Sequence, residues 1–396
     1  MNNLRNGIEY LKTTCEGEVI VGCQWAEWSP WSSCSKTCGG GLKSRSREKL
    51  PGMGTCDGDA SAVEVCAEQE VCPLENDNTT LVVVIGGETT RENRENEHST
   101  SIEIIGASGL CRLSGVPDLP EARGKLCAAY DPSGALIVCG GGQRFWRPNN
   151  NCWQLVKGYS TWEEIPQIYP VHGAATTFFR GKFWVFGGST GDDSYDHTIT
   201  DKVQAYNPRT QVWSVEKSLS SPRHKSCAVT IDDQVVLTGG TMLGLGKVKP
   251  VWLAEIGTRT AESFDGENWY SLPSLTRAKV EHGCSVAAIS GSRGILVVGG
   301  ATGDDVVEFL DWDIKSAWKV LGKLNRGRGM MPGIGFIGGK LSIVGGYSWP
   351  GAVDIIEQWD EDKEEWSRSI NKIKYARYNH ATITVPGDMF PQCLNP

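Results

Sequence analysis

Cysteine is the residue type whose spacing carries the most chemical information in this chain of 396 residues. Of its 14 cysteines, six fall in the short stretch from Cys23 to Cys72. A segment of this size buries little core, so a dense cysteine cluster in it predicts disulfide bonds and an oxidising compartment. A zinc module is the alternative, but the stretch contains no C-x-x-C pair and no histidine. We therefore predict disulfides.

Paired aspartates are a second candidate for chemistry. Two loops repeat almost literally, one ending in Asp192 and Asp193 and the other in Asp304 and Asp305. A calcium ion needs six or more oxygen ligands at set offsets, and two carboxylates on a loop fall short of that number. We predict turns with solvated charges at both places.

The elements that must position these residues are short strands. Six apolar runs each end in a glycine pair, and the second glycines recur at intervals of roughly fifty residues. They are Gly87, Gly141, Gly188, Gly240, Gly300 and Gly346. Each run is rich in β-branched residues, as expected of a strand buried on both faces. A self-similar period of this length predicts a repeat architecture.

The repeat resembles the kelch motif from residue 81 to the end of the chain. The third unit carries the motif best, with Phe183–Gly188 followed by Tyr206 and Trp213. The resemblance implies an all-β, six-bladed kelch β-propeller in which these aromatic residues pack between neighbouring blades. The last apolar segment, near His380, is expected to supply the innermost strand of blade one and so to close the ring.

Histidines recur at the predicted starts of inner strands, at His172, His224, His282 and His380. In a six-bladed propeller opposite strands lie too far apart for the roughly 2 Å bonds that metals form with nitrogen. We therefore predict that these side chains have structural hydrogen-bonding roles, and that the protein has no metal site and needs no cofactor.

The cysteine-rich stretch contains tryptophans at every third position, Trp25, Trp28 and Trp31, and basic residues at every second position, Lys43, Arg45 and Arg47. The whole of residues 23–72 resembles the thrombospondin type-1 repeat. The resemblance implies a cation–π ladder in which the six side chains stack alternately. It also implies the disulfide pairs Cys23–Cys56, Cys34–Cys66 and Cys38–Cys72; from the residues alone, six cysteines allow 15 pairings.

Modification sites are predicted in and near this small domain. By the same resemblance, Thr37 is expected to carry O-linked fucose, and Trp25 and Trp28 are expected to carry C-linked mannose. Asn78 begins an Asn-Thr-Thr sequon for N-glycosylation. All three types of modification require passage through the secretory pathway.

The predicted organisation is an N-terminal segment (1–22), a thrombospondin type-1 repeat (23–72), a linker (73–80) and the kelch propeller (81–396). The first residues lack the apolar core of a signal peptide, so we expect the sequence to be a fragment or an incomplete gene product of a secreted protein. Unconventional export is the alternative.

The remaining cysteines allow several interpretations. Cys139 and Cys152 flank one loop and are predicted to form a disulfide across it. Cys227 and Cys284 are predicted to be buried free thiols. Several pairings stay open for Cys15, Cys111, Cys127 and Cys393.

Composition restricts the possible partners. A net charge of −8 argues against nucleic acid, and no apolar run approaches the roughly 18 residues that a membrane span needs. The loops of one propeller face contain exposed-type aromatic and arginine residues, which protein interfaces favour. The residues predicted to bind a partner are Arg144, Trp146, Arg147, Trp252 and Trp349.

These observations predict a non-catalytic extracellular recognition, adhesion or matrix protein that binds a protein, a glycan or both. The oligomeric state stays open. Residues 23–72 contain five basic and seven acidic side chains, which weakens the expectation of heparin binding. A copper oxidase similar to galactose oxidase is the alternative, although the adjacent histidines of some such enzymes are absent. An intracellular ubiquitin-ligase adaptor is disfavoured by the disulfide-type repeat.

Overall fold

The computed structural model describes residues 23–32, 41–50, 56, 58–66, 79–90, 96–111, 115–142, 148–166, 169–190, 198–243, 255–300 and 304–394. The chain forms two compact units, Met1–Glu70 and Val71–Pro396. The expected all-β architecture is confirmed, and the described residues contain no α-helix.

The first unit is built on one antiparallel pair, β1 (Gly41–Ser46) and β2 (Ser61–Cys66). A third, irregular segment, residues 25–32, runs beside β1. Its backbone N–H groups bond to β1 and the residues after it only at every third position: Ala26 to Glu48 (2.8 Å), Ser29 to Ser46 (2.8 Å) and Ser32 to Ser44 (2.8 Å). Three residues of this segment therefore match two residues of its partner.

The second unit is a propeller of six four-stranded blades. Blades one and two contain β3 (Leu81–Ile85), β6 (Ile102–Gly106) and β7 (Gly109–Leu110), then β8 (Cys127–Asp131), β9 (Ala135–Cys139), β10 (Asn151–Val156) and β11 (Glu163–Pro166). Blades three and four contain β12 (Ala175–Phe179), β13 (Lys182–Phe186), β14 (Val203–Asn207) and β15 (Val212–Glu216), then β16 (Cys227–Ile231), β17 (Gln234–Thr238), β20 (Ala261–Phe264) and β21 (Trp269–Leu272). Blades five and six contain β22 (Gly283–Ile289), β23 (Ser292–Val298), β24 (Val306–Asp311) and β25 (Lys319–Lys323), then β26 (Gly333–Ile337), β27 (Lys340–Val344), β30 (Ile355–Asp360) and β31 (Glu365–Lys372).

Three hairpins extend the loops after the second strands. They pair β4 (Glu88–Thr90) with β5 (Asn96–His98), β18 (Thr241–Leu243) with β19 (Glu255–Gly257), and β28 (Tyr347–Ser348) with β29 (Gly351–Ala352). Because second strands end at the same side of every blade, these hairpins share one face of the propeller with the segments that join successive blades. We call it the mouth face.

The C-terminal strand β32 (Ala381–Val385) is the innermost strand of blade one, where it pairs antiparallel with β3. The two short 3₁₀ helices Gly387–Met389 and Pro391–Cys393 follow it. Blade one is thus assembled from both ends of the propeller unit, so that β3 is paired on both of its edges.

The glycine-terminated runs form the second strand of each blade and its most buried part. All five residues of β3 are at most 1% exposed. The turn that follows requires glycine: Gly187 has φ 64°, and a Cβ atom there would lie 2.2 Å from the Arg223 carbonyl oxygen. The aromatic residues pack as expected between blades, with Trp269 of blade four 5.9 Å from the ring of Phe186 in blade three.

A fully buried cation clamps the mouth end of five blades. In blade six, Arg328 donates to the carbonyls of Gly345 (2.7 Å) and Ile355 (3.2 Å) and pairs with Glu357 (2.6 Å). The equivalent cations are Arg123, Arg223, Lys279 and Arg377. The four arginines join the second and third strands of their blades, and Lys279 bonds to Asp304 and Val306 at the start of the third strand, so these blades are fixed from within by charge-assisted hydrogen bonds.

Two blades modify this clamp in compensating ways. Blade two has Trp153 at the carboxylate position, and the Arg123 guanidinium lies 3.9 Å from the centre of its ring. Blade three lacks the cation, since Val171 occupies its place, and also lacks the carboxylate. Gln204 there exchanges two hydrogen bonds with the backbone of Tyr169 instead. No blade is left with an unpaired buried charge at this position.

Candidate functional sites

The tryptophans and basic residues of the first unit form the expected stack. Arg47 lies over Trp25 (4.8 Å) and Trp28 (4.4 Å), and Arg45 lies over Trp28 (4.7 Å) and Trp31 (4.5 Å). Lys43 ends the ladder, 5.0 Å from the Trp31 ring. The three-to-two backbone match explains why tryptophans at every third residue meet basic residues at every second.

The charge of the ladder is partly compensated at its Lys43 end. Glu64 lies directly opposite Lys43 in β2, with 3.2 Å between the Lys43 ammonium and the Glu64 carboxylate. At the other end, Arg47 donates its Nε proton to the Asp59 carbonyl (2.9 Å). Neither Arg45 nor Arg47 has a carboxylate partner among the described residues, so the charge of these two guanidinium groups is not neutralised there.

A closed ring of backbone hydrogen bonds surrounds the propeller axis at the mouth face. Each blade contributes the residue that immediately precedes its inner strand region, and each of these N–H groups donates to the preceding blade. The bonds are Lys125 to Asn379 (2.8 Å), Gly173 to Lys125 (3.1 Å), Lys225 to Gly173 (2.7 Å), Glu281 to Lys225 (3.0 Å), Met331 to Glu281 (2.7 Å) and Asn379 to Met330 (2.8 Å).

Every member of this ring has a left-handed backbone conformation, with φ between 52° and 62°. Only one of them is glycine, so the ring places side chains in a conformation that costs an L-residue of order 1 kcal/mol. The side chains retained at this cost include Lys125, Lys225 and Glu281, and all three point toward one another.

An ion pair crosses the propeller axis inside this ring. Lys125 belongs to blade two and Glu281 to blade five, which are opposite one another, and the Lys125 Nζ atom lies 2.9 Å from Glu281 Oε1. Lys225 approaches the same oxygen at 3.7 Å. Burial alone would raise the pKa of the Glu281 carboxyl, but the two lysines outweigh it and leave that pKa below its ordinary value.

The ion pair forms the floor of the mouth face. Lys125 and Glu281 are 8% and 7% exposed, so they close the channel at this level. Beside them Asn379 donates to the buried Glu88 carboxylate (2.7 Å). The centre of the mouth face therefore consists of charged side chains whose partners are other side chains of the propeller.

The β28–β29 hairpin also lies on the mouth face. Trp349 lies at the tip of the β28–β29 hairpin and is 82% exposed. Arg326 donates to its carbonyl oxygen (2.8 Å), and the Ala352 N–H donates to the Thr90 hydroxyl of the neighbouring hairpin (3.3 Å). The Trp349–Pro350 peptide bond is cis. These two contacts hold the backbone of the hairpin that carries the exposed Trp349 ring.

Of the predicted partner-binding residues, only Trp349 lies in the part of the chain that the structure describes. Arg144, Trp146, Arg147 and Trp252 lie outside it, as do the modification sites Thr37 and Asn78. Trp25 and Trp28, the predicted C-mannosylation sites, are half-buried within the ladder.

The predicted disulfides Cys23–Cys56 and Cys139–Cys152 are present in the structure. The predicted pairs Cys34–Cys66 and Cys38–Cys72 involve residues outside the described part of the chain. Cys111, whose partner was open, is bonded to Cys393 and so ties the C-terminal segment to blade one.

The prediction that Cys227 and Cys284 are free thiols is wrong. They form a disulfide between β16 and β22, the inner strands of blades four and five. Neighbouring inner strands converge at the axis and bring the two Cα atoms to 5.9 Å, within disulfide range. The sequence spacing does not reveal this proximity, because it arises from the packing of separate blades.

The histidines near the channel are buried. His282 shares a hydrogen bond with the Thr238 hydroxyl (2.9 Å), and burial lowers its pKa to about 3. Burial likewise lowers the pKa of His380 to about 3. No group of three metal-ligating side chains converges within the described ranges.

The aspartate loops differ from the expected solvated turns at the one place the structure describes. Asp304 is paired with the fully buried Lys279 (2.9 Å), and Arg277 lies 3.4 Å away. Asp305 faces Lys323 at 3.2 Å. Asp304 belongs to the clamp of blade five, where Lys279 replaces arginine; Asp192 and Asp193 lie outside the described residues.

Comparison with known families matches residues 26–72 to the thrombospondin type 1 domain and residues 170–220 to the kelch motif. Both lie where the corresponding folds occur. The chain joins a thrombospondin type 1 domain to a kelch propeller. The disulfides and the thrombospondin relatives are typical of extracellular proteins, and the two domains together support an extracellular or protein-binding role.

Relatives match one part of the chain or the other. Protein madd-4 of Caenorhabditis elegans is 36% identical over 26% of the chain and 10% of its own length. Spermatocyte protein spe-26 of the same species is 23% identical over 61% of the chain and 40% of its length. Human spondin-1 is 40% identical over 14% of the chain and 7% of its length. The chain thus spans less than half of each of these relatives.

The solved structure of YjhT resembles the kelch propeller, with a TM-score of 0.56 and 16% identity over 68% of this chain and 90% of that one. A likeness at this level of identity shows the fold alone. Within the described residues, no helix is long and apolar enough to cross a membrane.

Proposed function

We propose that this protein is a non-catalytic extracellular recognition protein that acts in adhesion or matrix assembly, and that its propeller binds a protein partner through the mouth face. The observation that carries the proposal is Trp349. Its side chain is 82% exposed on the mouth face, and tryptophan is among the residues most enriched at the centres of protein interfaces.

The surroundings of Trp349 suit an interface. Tryptophan and arginine are the residues most enriched among those that dominate binding energy, and Arg326 contacts the backbone carbonyl of Trp349. Because the hairpin is braced by Thr90 of the neighbouring blade, little conformational entropy would be lost on binding. The paired floor of Lys125 and Glu281 gives the partner a closed surface to contact.

The thrombospondin domain is proposed to bind a second protein or a glycan along its ladder. Stacking on tryptophan leaves the outer edges of the guanidinium groups available to acidic ligands. The Lys43–Glu64 pair and the domain's net acidic balance argue for a weak or local affinity for sulfated glycans.

An extracellular location is supported by the disulfides that hold the propeller. Cys111–Cys393 and Cys227–Cys284 join segments that are distant in sequence, and such bonds persist in oxidising compartments. We propose that the protein is secreted and carries the predicted modifications at Trp25, Trp28, Thr37 and Asn78.

Non-catalytic action is part of the proposal. His282 and His380 are kept neutral and buried inside the propeller wall, where they serve packing and hydrogen bonding. Lys125, Lys225 and Glu281 satisfy one another, so none of them is poised to transfer a proton.

The test is a binding assay with the full chain secreted from animal cells. The protein is applied to cultured cells and to the matrix that they deposit, and bound protein is measured by immunoassay. We expect Trp349→Ala to reduce binding at least about tenfold, the effect typical of a central interface aromatic. Ile314→Ala is the matched control, because Ile314 is 62% exposed but lies in the turn between β24 and β25, at the opposite face. Equal binding by the wild type and Trp349→Ala would refute the proposed surface.

A further inference from the structure

Three cysteines lie side by side across blade two. In the strand register Cys139 of β9 is opposite Cys127 of β8 on one side and opposite Cys152 of β10 on the other. Directly opposed residues point to the same face of a sheet. All three side chains accordingly belong to one buried apolar cluster between blades two and three.

The three sulfurs are in two chemical states. Cys139 and Cys152 form a disulfide. Cys127 is a free, buried thiol, and its proton is donated to the Ala174 carbonyl oxygen, 3.6 Å away. A disulfide therefore has an unbonded thiol beside it, on the side of Cys139 that faces away from Cys152.

This arrangement is the one that thiol–disulfide exchange requires. The attacking sulfur, the central sulfur and the leaving sulfur must lie close to a line. Neighbouring strands are about 4.8 Å apart, and three in-register residues on successive strands are collinear across the sheet. The sulfur nearest to the Cys127 thiol is thus that of Cys139, which the thiol can attack in line with the bond to Cys152.

We propose that Cys139 is a shared sulfur, and that blade two exchanges its disulfide between Cys139–Cys152 and Cys127–Cys139. The Cys127 thiolate attacks the Cys139 sulfur, a bond forms between them, and the bond to Cys152 breaks. The proton released from Cys127 is taken up by Cys152, which becomes the free thiol. No oxidant or reductant is consumed.

The exchange moves a covalent crosslink between different segments of the chain. Cys139–Cys152 closes residues 140–151, the connection between the second and third strands on the mouth face. Cys127–Cys139 would instead close the β8–β9 hairpin, which lies nearer the axis. The Cys139–Cys152 disulfide crosslinks the two ends of a mouth-face connection. With the Cys127–Cys139 disulfide, only strand pairing joins those ends.

The surroundings of Cys127 make the exchange slow near neutral pH. Burial raises the pKa of its thiol to about 12, against the opposing effects of the Ala174 hydrogen bond and the Arg123 charge. The other titratable side chain in the surrounding cluster is Tyr206. Because only the thiolate attacks, the rate should rise about tenfold for each pH unit below that pKa.

The first experiment maps disulfides in folded variants of the full chain by digestion without reduction after alkylation. We expect Cys152→Ser to form Cys127–Cys139. In the matched control Cys139→Ser, Cys127 and Cys152 should both be alkylated, since they lie two strands apart and beyond bonding distance. Cys127→Ser should keep Cys139–Cys152. A folded Cys152→Ser protein in which Cys127 and Cys139 both stay free would overturn the proposal.

The second experiment needs no variant. Wild-type protein is held without reductant at pH 6 and at pH 9, acid-quenched and mapped in the same way. The Cys127–Cys139 peptide should appear at pH 9, with an initial rate at least a hundredfold above that at pH 6. Absence of this peptide under native conditions at pH 9 would contradict the exchange even if Cys152→Ser does not fold.

Discussion

Single residues determine how the propeller is sealed at its axis. Glu281 accepts contacts from two lysines of other blades, one of them directly across the channel. Lys125 and Glu281 are buried and Lys225 is half-buried, so the energy of the arrangement depends most on the pair of Lys125 and Glu281. Removing one charge leaves another in a low-dielectric site without compensation.

The first prediction concerns this ion pair. Glu281→Gln should lower the free energy of unfolding by roughly 3 kcal/mol at pH 7, because Lys125 loses its partner while remaining buried. Urea unfolding measures the change. Lys323→Ala, which removes an exposed pair with Asp305, is the control and should shift stability by about 0.5 kcal/mol or less. Equal effects of the two substitutions would show that the axial pair contributes no more than a surface one.

The second prediction concerns pH. The unfolded chain protonates His282 below its ordinary pKa of 6.5, whereas the folded protein does so only near pH 3. The unfolded state therefore binds more protons across this interval, and stability falls as the pH falls. Between pH 7 and pH 5 this histidine should account for a loss of about 2 kcal/mol.

Urea unfolding of wild type and His282→Gln at pH 7 and pH 5 provides the check. The variant is expected to be less stable at both pH values, because the Thr238 contact changes, but to show the smaller difference between them. The same pH dependence in both proteins would mean that His282 is not kept neutral in the fold.

Part of this residue-scale detail lies beyond sequence reasoning. The burial of the histidines follows from their place at inner-strand starts, which the repeat pattern reveals. The left-handed conformation of the ring residues cannot be inferred from the repeat pattern. Five of the six blades have residues such as Lys125, Glu281 and Asn379 there, rather than glycine. Only the ring geometry shows that Lys125 and Glu281 face each other.

At the scale of elements, the first unit depends on the match between an irregular segment and a regular strand. The tryptophans advance by three residues while the basic residues advance by two, and the backbone hydrogen bonds follow the same ratio. The stack adds to these hydrogen bonds and to the Cys23–Cys56 disulfide in holding the segment, so weakening the stack should lower the stability of the segment.

The third prediction tests the ladder. Arg45→Ala removes two cation–π contacts and should lower the local opening free energy by about 1–3 kcal/mol. Hydrogen exchange of peptides covering β1 in the full chain measures this value. Arg45→Lys is the matched variant and should recover only part of it, since an ammonium cannot stack on both rings. Propeller peptides should not change. If β1 exchanged at the wild-type rate in Arg45→Ala, the ladder would be incidental.

The second strands were accessible from the spacing of the glycine-terminated runs, and the ladder was accessible from the resemblance to the thrombospondin type-1 repeat. The blade clamps were not. Arg328 and Glu357 are 29 residues apart, and their pairing depends on which strand ends meet at the mouth face. Blade two also has Trp153 in place of the carboxylate that pairs with the cation in other blades, so the cation–carboxylate pattern does not recur in every repeat.

At the scale of the whole molecule, the propeller is closed twice. β32 completes blade one by strand pairing, and Cys111–Cys393 adds a covalent bond across a sequence separation of 282 residues. Cys227–Cys284 adds a second bond between adjacent blades, with a separation of 57 residues. The sequence predicted the strand closure, but the partners in these two disulfides became evident only when the blades were arranged in space.

The fourth prediction concerns closure. In the loop-entropy account, opening a loop of this length should cost roughly 5 kcal/mol of stability, so Cys111→Ser/Cys393→Ser should lower the unfolding free energy by about that amount. Hydrogen exchange should increase mainly in β32 and β3. The matched variant Cys227→Ser/Cys284→Ser should instead increase exchange in β16 and β22. A closure variant within 1 kcal/mol of wild type would show that strand pairing alone closes the ring.

The extracellular nature of the protein is the claim on which its proposed function rests, and peptide mapping of the chain secreted from animal cells tests it most directly. We predict intact Cys23–Cys56, Cys111–Cys393 and Cys227–Cys284 disulfides, hexose on Trp25 or Trp28, and fucose on Thr37. A chain that accumulates inside the cell, fully reduced and unmodified, would contradict the account and the recognition function with it.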